Sequence, residues 1–130
     1  FLKMNQFLQI FFKLKSMDSL PIINKSYDLY KGIIDINNKL EKRFRYSLGL
    51  SLENSILESM EILIMAKNAP KPLKAGYLLK AGGKLEASRF KIRLLLELKL
   101  VNETKIFQLQ AQLTEIGRML GGWLRATQNI

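Results

Sequence analysis

Residues 106–123, IFQLQAQLTEIGRMLGGW, form the stretch that decides the fold of this chain. The apolar side chains in it recur three and four positions apart, at Ile106, Leu109, Leu113, Ile116, Leu120 and Trp123. Because an α-helix turns once every 3.6 residues, this spacing places all six side chains on one face. Such a seam is typical of a helix packed lengthwise against other helices. The sequence therefore predicts a helical bundle.

Glycines interrupt the same stretch at Gly117, Gly121 and Gly122. Each glycine costs about 1 kcal/mol relative to alanine in a helix interior, so the three together need a structural reason. We expect them to let a neighbouring helix, from the same bundle or from another subunit, approach closely beside Trp123. The predicted packing residues of this helix are Ile116, Gly117, Leu120, Gly121 and Trp123.

Three further helices are predicted upstream from similar spacings. They cover about residues 20–41, 47–68 and 73–99, and the last helix covers about 103–127. A turn is expected at 41–46, where three bases in six residues break the apolar pattern. Residues 68–72, with Pro70 and Pro72, end the second helix, because a residue before proline avoids the helical conformation. No strand-like alternation is present, so the predicted fold is all-α: an antiparallel up-down-up-down four-helix bundle.

The apolar faces of these helices can be read position by position. The predicted stripe of the first helix is Leu20, Ile23, Tyr27, Tyr30 and Ile34, and that of the second is Leu52, Ile56, Met60 and Leu63. The third helix is apolar on more than one side, at Phe90, Ile92, Leu94, Leu95, Leu96 and Leu98. A surface helix of a monomer would show a cleaner polar face. We therefore expect a second chain to cover part of it, with Phe90, Leu94 and Leu95 in the core or the subunit contact.

The composition excludes several classes of site. The chain has no cysteine and no histidine, so it can build no disulfide, no Ser-His-Asp or Cys-His arrangement and no usual zinc site. Its 11 acidic residues are scattered among 21 basic ones, and Glu53, Glu58 and Glu61 are interpreted as a solvated helix face. We predict no catalytic residue, no metal and no cofactor. Nothing points to an oxidising compartment, and a cytoplasmic location is expected.

The net charge of +10 and the pI near 9.9 are the clue to function. Lysine and arginine side chains that neutralise phosphates release counterions, so a small basic domain is a candidate for binding nucleic acid. A generally basic proteome would give the same charge without any such role. An anionic membrane surface is a weaker alternative.

Residues 1–16 are rich in phenylalanine and leucine and are interpreted as a leader outside the fold. Their apolar part is too short and too interrupted for a membrane span and lacks a small-residue cleavage site. Met17 is the natural start of the folded unit, so the bundle is expected to occupy residues 17–130.

Three segments carry a family resemblance. They are LPIINKSYDLYK at 20–31, SRFKIRLLL at 88–96 and EIGRMLGGW at 115–123, of which the last is the most specific. Over about residues 18–127 the chain resembles the Avd-like four-helix-bundle family, whose namesake is the accessory protein of diversity-generating retroelements. Bundle proteins encoded in intervening sequences of bacterial ribosomal RNA genes are related to it.

The resemblance implies a homopentameric ring or barrel of bundles with a positive surface. Such a protein associates with the reverse transcriptase of the element, binds template RNA and DNA, and supports mutagenic copying without catalytic activity of its own. Two alternatives stay open: a ribosomal intervening-sequence bundle protein of unknown role, and a structural oligomer with incidental positive charge.

Two groups of candidate contact residues lie on the third helix. Arg89 and Arg93 share a face, and by the resemblance they align with bases implicated in partner and nucleic-acid contact. The alternative is local pairing with Glu86 and Glu97. On the opposite side, Lys80, Lys84 and Lys91 form a stripe with no acid on it, which is either a phosphate contact or a solvated face.

A third group is expected where the first two helices meet, at Lys39, Lys42, Arg43 and Arg45. The turn between the third and fourth helices lies at the same end of an antiparallel bundle and adds Lys99 and Lys105. Phe44 and Tyr46 interleave with these bases and would either stack single-stranded bases or plug the end of the core.

Two bases of the last helix, Arg118 and Arg125, match bases of the family motif, although Arg118 is also spaced to pair with Glu115. No group of residues is suited to reading base sequence, so we expect binding to the nucleic-acid backbone that weakens with salt.

Overall fold

The computed structural model describes residues 20–128, and every structural statement below concerns these residues. They form four long helices and no strand: α1 (Pro21–Asn37), α2 (Leu50–Asn68), α3 (Lys71–Glu97) and α4 (Glu103–Gln128). Each helix packs mainly against two neighbours, in the pairs α1–α2, α2–α3, α3–α4 and α1–α4. With such short connections, this is the predicted antiparallel four-helix bundle. The expected leader at 1–16 and the start at Met17 lie outside the described residues.

The seam of α4 is confirmed as the spine of the core. Its first five predicted positions are buried, and Trp123 is half-buried and packs against the same core. The second helix also follows its predicted stripe, with Leu52, Ile56 and Leu63 buried and Met60 half-buried. In α3, Ile92 and Leu95 enter the core, whereas Phe90 remains 61% exposed and Leu94 half-buried.

The predicted stripe of α1 is wrong by one position. The buried side chains are Ile22, Ser26, Leu29, Ile33 and Asn37, and the predicted residues from Ile23 onward are only half-buried. Two polar residues occupy the buried face, so an apolar pattern could not reveal it. Ser26 is satisfied there because its hydroxyl donates to the carbonyl oxygen of Ile22, at 2.8 Å.

The predicted turn at 41–46 is also displaced. α1 ends at Asn37, and the chain is helical again from Lys42–Phe44, through a π-helical turn at Arg45–Gly49 that leads directly into α2. The guanidinium of Arg45 donates to the carbonyl oxygens of Asn37 (3.2 Å), Asn38 (2.9 Å) and Leu40 (3.0 Å). These bonds satisfy backbone groups at the end of α1, so the basic run folds as a helical cap rather than as a loop.

Asn37 joins α1 to the π-helical turn. Its amide nitrogen donates to the carbonyl oxygen of Gly49 (2.8 Å) and to Glu53 Oε2 (2.7 Å). A Cβ at Gly49 would lie 3.0 Å from the Asn37 side chain, closer than an ordinary van der Waals contact, so the packing favours glycine at this position. The joint therefore depends on a buried amide facing a residue without a side chain.

The expected role of the α4 glycines within the bundle is wrong. A Cβ at Gly117 would meet no atom of the described chain within 4 Å, and one at Gly121 would first meet Arg125 Nη1, at 3.5 Å. The close approach of helices occurs instead at Gly82 of α3, where a Cβ would lie 3.4 Å from Leu120 Cδ2. An approach of another subunit to the α4 glycines stays a prediction.

Candidate nucleic-acid interface

The two arginines of α3 are held by neighbours in the same chain. Arg89 Nη1 donates to Gln110 Oε1 (3.2 Å) and Thr114 Oγ1 (3.4 Å) of α4, and its Nε lies 3.6 Å from Glu86 Oε1. Arg93 pairs with Glu97, one turn later, at 2.9 Å. The local pairing considered for both arginines is therefore present, and Arg89 in addition ties α3 to α4. Their contact with a polymerase or nucleic acid stays a prediction.

The stripe of lysines on α3 lies beside an acidic residue of α2. Lys84 Nζ lies 2.7 Å from Glu58 Oε2 of α2, and Lys91 donates to the carbonyl oxygen of Ser51 (3.2 Å) and to Ser55 Oγ. The hydrogen bond from Lys84, then its charge, and then the charges of Lys91 and Lys80 hold the pKa of Glu58 below its ordinary value.

The expectation of a stripe without acids is therefore wrong, and Glu58 is not merely part of a solvated face. The spacing within α3 could not show this, because the acid comes from another helix. The stripe borders a polar groove between α2 and α3, whose lining residues are Ser47, Leu50, Ser51, Asn54, Ser55, Glu58, Lys84, Ala87 and Lys91.

The turns at one end of the bundle bring a different set of bases together. Lys39 and Lys105 line the same cleft, between the turn that follows α1 and the turn that precedes α4. Lys42 and Arg43 are exposed on the neighbouring helical turn, and Lys99 is exposed between α3 and α4. We call this set the basic end; its members are Lys39, Lys42, Arg43, Lys99 and Lys105.

The cations of the basic end differ from those of α3 in having few partners. Within residues 20–128, its four lysines make no hydrogen bond through the ammonium group and no ion pair, and Arg43 contacts only the ring of Phe44, with its Cζ 5.1 Å from the ring centroid. Arg45, which was predicted to belong here, is half-buried and holds the end of α1 instead. The basic end therefore brings together five cations that form no ion pair in the described chain.

The two aromatic residues of the basic end have different environments. Phe44 is half-buried and packs against the core, as expected for a plug at the end of the bundle. Tyr46 is 61% exposed, so the alternative that it plugs the end of the core is wrong. The π-helical turn, which the sequence pattern did not indicate, accounts for the difference.

The last two candidates lie along α4. Arg118 forms two bonds with Glu115, at 3.0 Å and 2.6 Å, and this hydrogen bonding lowers the pKa of the Glu115 carboxyl. Arg125 is exposed and makes no ion pair within the described range, and its guanidinium lies back over Gly121 and Gly122. A Cβ at Gly121 or Gly122 would be in ordinary van der Waals contact with this guanidinium.

Two further observations concern the described helices. In the described part of the chain, no three acidic side chains come close enough together to hold a metal ion. None of the helices between residues 20 and 128 combines the length and the apolarity that crossing a membrane requires.

The comparison with protein families places the chain in a family. A family model described as bAvd-like matches residues 20–127, which run from the residue before α1 to the last turn of α4. A search of curated proteins finds no match. The match therefore covers the whole bundle, including the basic end.

Proposed function

The chain belongs to the bAvd-like family, and we propose that it is a non-catalytic accessory subunit of a diversity-generating retroelement. In this role it binds the reverse transcriptase and the template RNA, and DNA copied from it, in the cytoplasm, and it supports mutagenic reverse transcription. The observation that carries the proposal is the family match over residues 20–127. The reverse transcriptase catalyses the copying, and the accessory subunit needs no cofactor.

Nucleic acid is assigned to the basic end. Its lysines have no competing carboxylate partner in the described structure, so contact with a phosphate would not first have to break an ion pair. Binding through such side chains is dominated by the phosphate backbone and weakens steeply as salt is added. This surface therefore suits a template whose sequence varies.

The polymerase is assigned to the flank that carries Arg89 and Arg93. The pair between Arg93 and Glu97 is exposed, and exposed pairs contribute only about 0–1 kcal/mol, so a partner's carboxylate can replace Glu97 at small cost. We expect Arg89→Glu combined with Arg93→Glu to leave the oligomer intact and to weaken retention of the reverse transcriptase.

Assembly into a homopentamer is part of the proposal. The outward side of α3 exposes Leu79 and Phe90, each 61% accessible, and a Cβ at Gly83 between them would meet nothing within 4 Å. An apolar face with an open glycine suits close contact with another helix. A ring would also repeat the basic end several times and so strengthen weak phosphate contacts through multivalency.

The proposal is tested by incubating the full chain with labelled template RNA and with the reverse transcriptase encoded beside its gene. We expect both to be retained at low salt, the RNA to be released as salt rises, and light scattering to give five times the 15.0 kDa mass of the chain. No retention of RNA or polymerase at low salt would overturn the proposal and leave a structural oligomer with incidental charge.

A further inference from the structure

The π-helical turn Arg45–Gly49 sorts its side chains into inward and outward sets. Phe44 and Leu48, four residues apart, pack against the core, and Arg45 turns back to the carbonyl oxygens at the end of α1. Tyr46 lies midway between Phe44 and Leu48 in the sequence, so it points away from the core and is 61% exposed. Its hydroxyl makes no hydrogen bond within residues 20–128.

The surroundings of this ring are basic. Lys42 precedes Tyr46 by one helical turn and is exposed, and Arg43 is exposed beside it. An exposed aromatic ring next to unpaired cations combines two features of proteins that bind single strands, a face on which a base can stack and charges that follow the backbone.

We propose that Tyr46 is a stacking platform for an unpaired base of single-stranded nucleic acid, with Lys42 and Arg43 contacting the adjacent phosphates. The inference rests on the proposed function, because it specifies the form of nucleic acid that the basic end accepts. Apart from its two end pairs, a duplex buries the faces of its bases in its own stack, so a single strand offers the ring far more accessible bases. The basic end therefore binds single strands in preference to duplexes.

An exposed aromatic ring is also typical of a subunit contact, but the positive charge around Tyr46 favours nucleic acid over a second subunit. In a ring, Tyr46 would meet a different surface of the next subunit, and burying Lys42 and Arg43 in that contact would remove two unpaired charges from water. A polyanion instead neutralises them.

The test compares two labelled RNAs of equal length, one unstructured single strand and one blunt duplex, by fluorescence anisotropy with the full chain. We expect Tyr46→Ala to weaken binding of the single strand at least about fivefold and to leave duplex binding unchanged, since one stacked base contributes about 1–3 kcal/mol. The salt dependence should not change, because no charge is removed.

Matched variants distinguish the effect of the aromatic ring from the effect of apolar bulk. Tyr46→Phe keeps the ring and should bind like the wild type, whereas Tyr46→Leu keeps apolar bulk and should lose affinity as Tyr46→Ala does. Because the side chain is mostly exposed, all three variants should melt at the wild-type temperature. Light scattering should give the same oligomer mass for each.

The outcomes distinguish the inference from the proposed function. Wild-type protein that binds neither RNA overturns both. Wild-type binding that Tyr46→Ala leaves unchanged, or that Tyr46→Leu fully retains, overturns the stacking alone. A changed oligomer mass in Tyr46→Ala places the ring in a subunit contact and also overturns it.

Discussion

Helix α3 and the basic end carry the same kinds of side chain in different situations. On α3, Lys84, Arg89 and Arg93 each have an acidic partner in the same chain. At the basic end, Lys39 and Lys105 form no ion pair in the described chain, although Asp35 lines a cleft beside both. Net charge alone therefore does not locate a polyanion site, and the partners of each cation have to be considered. Lys84 and Arg89 join α3 to neighbouring helices, whereas the cations of the basic end form no such ion pair in the described chain.

The largest effect is expected at the joint that shapes the basic end. Asn37→Ala removes the donor to the Gly49 carbonyl and to Glu53 and leaves space inside the bundle. We expect the free energy of unfolding to fall by about 2 kcal/mol, because a buried acceptor loses its partner. Chemical denaturation measures this change. The neighbouring Asn38→Ala, at an exposed position, is the control and should change little; equal losses in the two variants would contradict the role of Asn37.

A smaller loss of stability is expected at Arg45, which was predicted to contact a ligand but caps the end of α1. Arg45→Ala removes three hydrogen bonds to carbonyl oxygens at the end of α1 and should lower the free energy of unfolding by about 1–2 kcal/mol. Arg43→Ala, at an exposed position two residues earlier, is the control and should be close to neutral in thermal melting. If Arg43→Ala destabilises the fold as much as Arg45→Ala, the division between cap and contact surface is wrong.

The two arginines of α3, Arg89 and Arg93, are expected to contribute differently to stability. Arg89→Gln should lower the unfolding free energy by about 1 kcal/mol, because it loses two bonds to α4, whereas Arg93→Gln loses one exposed pair and should cost less than that. A double-mutant cycle with Gln110→Ala should show coupling to Arg89 and none to Arg93. Coupling to both arginines would mean that Arg93 also serves the bundle.

The smallest effect is a dependence of stability on pH at the α2–α3 groove. Lys84 and its neighbours lower the pKa of Glu58 in the folded state, so the pair contributes stability above the ordinary pKa of 4.5. The contribution is lost as the pH falls through the lower folded-state pKa. We therefore expect Glu58→Gln to melt slightly below the wild type at neutral pH and equally at strongly acidic pH. A difference that persists in acid would show that the effect is not the ion pair.

A structural feature could be predicted from the sequence when all the residues that determine it lie on one helix. The α4 seam was predictable because five apolar residues repeat on one face. The face of α1 was not, since Ser26 and Asn37 are buried through hydrogen bonds that apolarity does not register. The partner of Lys84 was missed because it stands on another helix. Tyr46 was ambiguous because a π-helical turn, set by Asn37 and Gly49, decides where its ring points.

We propose that the basic end, and not α3, neutralises the phosphates. This is tested by the slope of RNA affinity against salt for two variants of equal charge: Lys39, Lys42 and Lys105→Gln at the basic end, and Lys84, Lys91 and Arg93→Gln on α3. Each phosphate contact to a single strand contributes about 0.7 to that slope, so we predict that the first variant lowers it by about 2 and that the second leaves it unchanged. A lower slope in the α3 variant, with the slope of the basic-end variant unchanged, would show that α3 contacts the phosphates instead.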